Sequence, residues 1–131
     1  MTRSRIVRPL CGTLLYALIL VAILVVPISR PHVRHGYLRE FSQSLTRRFI
    51  ADIGMNILLF VPLGWGLYRT ARRVGVRSPM LVAGFAGALF SLTMETVQYV
   101  LPYRYSSVVD VAADTLGVLL GASGEAVSRR P

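Results

Sequence analysis

The stretch MLVAGFAGALFSLTMETVQYVL, residues 80–101, decides the fold. As a helix rising ~1.5 Å per residue it reaches just past the ~30 Å hydrocarbon core of a bilayer. Its one charged residue is Glu95. Gly84, Gly87, Ser91, Glu95 and Gln98 recur every three or four positions, so they form one stripe, and large apolar side chains cover the rest of the surface. A seam of small and polar residues inside an apolar exterior is the pattern of a transmembrane helix packed against other helices.

Three more apolar runs flank this one. The first spans residues 10–28, the second 49–68 and the fourth 108–126. Together they predict an all-α polytopic membrane protein, a four-transmembrane-helix bundle. Residues 1–9 form a short N-terminal segment, 10–126 the transmembrane domain and 127–131 a C-terminal tail. The chain has 131 residues and is 53% apolar, with a mean hydropathy of +0.55. The spans use up most of its length, which leaves no room for a separate soluble domain. The first run follows Arg3, Arg5 and Arg8, as a signal peptide would. It is longer than a usual signal core, and Val25-Val26-Pro27 offers no small-x-small cleavage site, so it reads as a retained helix. Between Arg30 and Arg48 the chain is polar and basic. Tyr37, Leu38, Phe41 and Leu45 recur there at helical spacing, which suits a short helix lying in the interface or a plain loop.

The net charge of +9 is carried without lysine: all fifteen strongly basic residues are Arg. They lie in the short segments between apolar runs, where arginine marks membrane interfaces and sets orientation. No folded basic domain remains for nucleic acid. With the N-terminus inside, Arg3, Arg5, Arg8, Arg69, Arg72, Arg73, Arg77, Arg129 and Arg130 are cytoplasmic. Arg30, Arg34, Arg39, Arg47, Arg48 and Arg104 are then outside. That bias favours both termini in the cytoplasm. Cys11 is the single cysteine, so no internal disulfide exists. Trp65 and Tyr68 at one end, and Tyr99, Tyr103 and Tyr105 at the other, read as interface anchors.

The polar residues within the spans converge. Asp52 and Asn56 lie at the start of the second, Glu95 and Gln98 at the end of the third, and Asp110 and Asp114 at the start of the fourth. The third span runs opposite to the other two, so all six positions meet at one end of the bundle. In the fourth span Asp110, Asp114, Gly117 and Gly121 share a stripe, and Gly117–Gly121 is a small-xxx-small spacing. Arg104, in the turn between Glu95 and Asp110, is the natural counter-ion, with Ser107 beside it. Burying such groups is costly, which makes them candidates for function. A hydrogen-bonded network that only holds the helices in register is the alternative. His32 and His35 read as solvated loop residues, and no metal or cofactor motif is present.

The ordered set Asp52-x-x-x-Asn56, Phe60-x-Pro62-x-Gly64, Glu95-x-x-Gln98, Arg104, Ser107, Asp110, Gly117 and Gly121 resembles the VanZ-like membrane proteins. It covers residues 52–121. Asp114 departs from that family's pattern, which usually has Asn there. The resemblance implies a multi-pass bacterial plasma-membrane protein, in a family whose founding member is associated with teicoplanin resistance. It supplies no reaction. Three functions fit. The first is a cell-envelope factor that binds or modifies an amphiphile, either a lipid-linked cell-wall intermediate or a lipoglycopeptide. In an enzymatic version Glu95 is general acid or base, oriented by Gln98 and Arg104, with Asp110 as partner. Asp52, Asn56, Gln98, Ser107 and Asp114 are candidate binding residues. The second is a non-catalytic scaffold or accessory subunit, and the third a small ion- or proton-coupled transporter.

Overall fold

The computed structural model describes residues 4–25, 47–101 and 107–128. They form four helices and, among the described residues, no strand: α1 Ser4–Val25, α2 Arg47–Val74, α3 Pro79–Val100 and α4 Val108–Ser128. Of the interfacial segment expected over Arg30–Arg48, only Arg47 and Arg48 are described, and they begin α2. His32, His35 and Arg104 lie outside the described residues.

Local chemistry sets the helix ends. α3 opens with Pro79, whose fixed φ suits a first helical turn and whose missing N–H is unneeded there. It stops at Leu101, which is extended (φ −81°, ψ 128°), as the residue before Pro102 should be. α2 runs six residues past its expected end, through Arg72 and Arg73 in its last turn, where cations complement the helix dipole. It then closes in a Schellman motif. Gly75 adopts φ +88°, its N–H bonds the Arg72 carbonyl at 3.2 Å, and the Val76 N–H reaches the Ala71 carbonyl at 3.1 Å.

α1, α2 and α3 are each long and apolar enough to cross a membrane, and α4 is not counted with them. The reason lies in Asp110, Asp114 and Glu125, which lower its hydropathy. Its buried face, which includes Ala113, Asp114, Gly117, Gly121 and Glu125, is turned into the bundle. α4 packs most extensively on α2 and next on α3. Glycine makes the first contact possible. A Cβ at Gly117 would strike the Ile57 carbonyl, one at Gly121 the Val61 carbonyl, and one at Gly64 the Val118 backbone. Such backbone-to-backbone approach is how membrane helices gain dispersion energy without a hydrophobic driving force. Leu20, Phe60, Leu63 and Val118 form the core, and Phe90 lies against Phe60 with ring centroids 6.0 Å apart. Leu18, Leu58, Leu81, Phe85 and Val100 are exposed outward, the inverse of a soluble protein and the expected face toward lipid.

Candidate functional site

The site is built where the C-terminal half of α3 meets the N-terminus of α4. On α3, Ser91, Glu95 and Gln98 follow one another on the buried stripe. Each is bound to a different part of the bundle. Ser91, fully buried, donates to Asp114 Oδ2 on α4 at 2.6 Å. The Glu95 carboxylate accepts the Ser107 N–H at 2.6 Å, and Gln98 Nε2 donates to the Leu24 carbonyl of α1 at 3.2 Å. The α3 seam therefore ties α4 on one side and the end of α1 on the other.

Ser107 is the N-cap of α4. Its Oγ accepts from the N–H groups of Val109 at 3.1 Å and Asp110 at 3.4 Å, two of the donors a helix start leaves without intrahelical partners. Glu95 takes the N–H of the cap residue itself, so a carboxylate from a neighbouring helix sits on the positive end of the α4 dipole. Asp110, half-buried in the first turn, adds acidic character to the same end.

Asp114 is the exception to this pairing. It is 4% exposed, yet its Oδ1 is buried with no hydrogen-bond partner. An unsatisfied buried polar atom costs ~1–3 kcal/mol, and more when charged. Asp114 is also the position where the resemblance leads one to expect Asn, whose amide would present a donor in place of one of the oxygens.

Among the expected site residues, Glu95, Gln98, Ser107 and Asp114 are buried, and Asp110 and Asn56 half-buried. Asp52 is exposed on α2 and stays outside the buried set. Gln98 Nε2 bonds α1, so Gln98 braces the end of the bundle. Ser91, on the same α3 stripe, joins the site as the partner of Asp114. Glu125, 5% exposed near the other end of α4, was missed. It lies four residues beyond Gly121, so extending the stripe by one step finds it.

A cleft of about 200 Å³ leads to this site from the side of the bundle. Leu92, Thr96, Tyr99 and Val108, all exposed, form its mouth, and Glu95 and Ser107 lie at its inner wall. Its opening faces the surface that the apolar side chains mark as lipid-facing. Among the described residues no group of three or more His, Cys, Asp or Glu side chains is placed to hold a metal ion.

The VanZ/LLP1 family model matches residues 13–124, from the middle of α1 to the last turns of α4. The chain belongs to the VanZ/LLP1 family. The match takes in the C-terminal half of α1, which lies outside the resemblance over residues 52–121. That half of α1 also carries the Leu24 carbonyl that accepts from Gln98. No curated protein and no solved structure matches the chain.

Proposed function

We propose that this VanZ/LLP1 protein works in the plasma membrane of a bacterium as a cell-envelope factor. Its α3–α4 cleft binds the polar part of an amphiphile, a lipid-linked cell-wall intermediate or a lipoglycopeptide, with both termini cytoplasmic and the cleft at the outer interface. The observation that carries the reading is a lipid-facing cleft with a buried carboxylate, Glu95, at its inner wall. An acyl or prenyl chain can lie along Leu92, Thr96 and Val108 while a hydroxyl, amine or amide donor reaches Glu95. Ser107 and the α4 N-terminus hold that carboxylate in place. A carboxylate fixed in this way binds donors, and it becomes a general base only if a bound group brings its proton within hydrogen-bond reach.

The second reading, a scaffold, is favoured by the same Glu95–Ser107 bond, because a cap between helices is structural in itself. Glu95→Gln separates the two. Glutamine keeps an oxygen for the Ser107 N–H but loses the charge. Membrane level is measured by immunoblot, and protection of a susceptible host against an acylated glycopeptide is measured beside its des-acyl form. Wild-type level with lost protection against the acylated form supports the site. Loss of protein in step with protection supports the scaffold. Full protection from a Glu95→Gln/Asp110→Asn double variant would rule the site out.

A further inference from the structure

A second cavity, of about 500 Å³, lies at the opposite end of the molecule, between the N-terminal half of α1 and the C-terminal half of α2. Close contacts on either side frame it. Tyr16 Oη donates to the Leu59 carbonyl at 2.8 Å, and the hydroxyls of Thr13 and Thr70 lie 3.3 Å apart. Gly66 approaches Thr13 so closely that a Cβ there would come within 2.6 Å of its hydroxyl. Beside these contacts the helices part, and around Gly12 nothing lies within 4 Å of where a Cβ would be.

The lining has two characters. Tyr16, Trp65 and Gly12 give an apolar and aromatic wall, while Arg8, Arg69 and Arg73 give a cationic one, and among the described residues no acidic one lines the cavity. The Arg69 guanidinium is held over the Trp65 ring, 4.9 Å from its centroid, so one cation is already positioned at the junction of the two walls. Arginine presents a fork of donors suited to phosphate oxygens. A single phosphate ion would fill only a small part of this volume and would leave the aromatic wall without an occupant. An ester of phosphate with an apolar chain uses both.

We propose that this cavity is a binding site for an anionic phospholipid. Arg8 and Arg69 hold its phosphate, and the glycerol and first methylenes lie against Tyr16 and Trp65. The site is separate from the α3–α4 cleft and does not depend on what that cleft binds.

Trp65 is the only tryptophan in the chain and lines the cavity, so its fluorescence reports from a single position at the cavity wall. The full-length protein is reconstituted in phosphatidylcholine vesicles. Phosphatidylglycerol or phosphatidylcholine, brominated near the headgroup end of the acyl chain, is added at matched mole fraction. Brominated phosphatidylglycerol should quench Trp65 several-fold more effectively. Arg8→Gln should lower that relative association by about fivefold, the effect of one arginine near an anionic membrane surface. Arg72→Gln, exposed and outside the cavity, should leave it unchanged. Equal quenching by the two lipids in the wild-type protein would overturn the proposal, whatever the variants do. So would an equal loss in Arg72→Gln, which would mean diffuse surface attraction. Millimolar inorganic phosphate that abolished the preference would overturn it in favour of a soluble anion.

Discussion

Substituting Gly121 by alanine tests the packing on which the rest of the molecule depends. An added Cβ would overlap the Val61 carbonyl oxygen and lie 2.9 Å from the Trp65 backbone nitrogen. Even a favourable carbon–oxygen contact needs ~3.3–3.6 Å. Both obstacles are backbone, so no rotamer change relieves them and α4 must move away from α2. Overpacking costs ~1–3 kcal/mol, and rigid neighbours put Gly121→Ala in the upper part of that range. A cost of about 2–3 kcal/mol lowers the ratio of folded to unfolded protein by roughly 30- to 150-fold. Gly117→Ala meets the Ile57 carbonyl and the Phe60 Cβ, the latter at 3.0 Å, and should cost a similar amount. Gly54→Ala and Gly124→Ala are the controls, because nothing lies within 4 Å of either new methyl group. They should fall within about 0.5 kcal/mol of wild type. Unfolding is followed in mixed micelles by raising the fraction of denaturing detergent, with Trp65 emission as the signal. Trp65 belongs to the contact itself, so its emission responds when the seam opens. If all four variants unfold at the wild-type midpoint, the close approach of α2 and α4 is wrong.

Two further outcomes concern the polar seam. Ser91→Ala removes the donor to Asp114 Oδ2 and leaves a buried carboxyl with neither oxygen partnered, so it should cost ~1–3 kcal/mol in the same titration. Asp114→Asn keeps an oxygen for Ser91 and should be at least as stable as wild type, and Ser91→Ala should cost less in that background. Additive effects in this double-mutant cycle would mean that the two residues do not interact. Ser107→Ala removes the N-cap of α4 and should cost ~1 kcal/mol, against a few tenths for Ser107→Gly. Equal midpoints for wild type and the alanine variant would show that the Ser107 hydroxyl does not cap the helix.

The four helices were legible in the sequence for different reasons. Residues 80–101 declare themselves by length and apolarity, whereas α4 is long enough but less apolar, and its stripe adds to the weaker signal. Side chains that share a stripe, such as Ser91, Glu95 and Gln98, could be placed on one face from spacing alone. The partners of Glu95 and Gln98 could not, because the Ser107 N–H and the Leu24 carbonyl are backbone groups that every residue carries. Asp52 shows the opposite limit. Depth along α2 put it level with the others, but one turn closer to the helix end it is exposed, while Asn56 is half-buried.

The same contrast bears on why the acidic groups of α4 are tolerated. Alone in lipid, Asp110, Asp114 and Glu125 would weigh against its insertion. Within the bundle Asp114 and Glu125 are buried against α2 and α3, and the N-terminus of α4 is capped from α3 by Glu95. α4 thus becomes a membrane helix through its neighbours, and Glu95 has a structural duty whatever else it does. A residue with two duties is read correctly only by a substitution that keeps one of them. Glu95→Gln retains the acceptor for Ser107, so loss of protection at normal protein level would be chargeable to the lost carboxylate and not to a collapsed helix start.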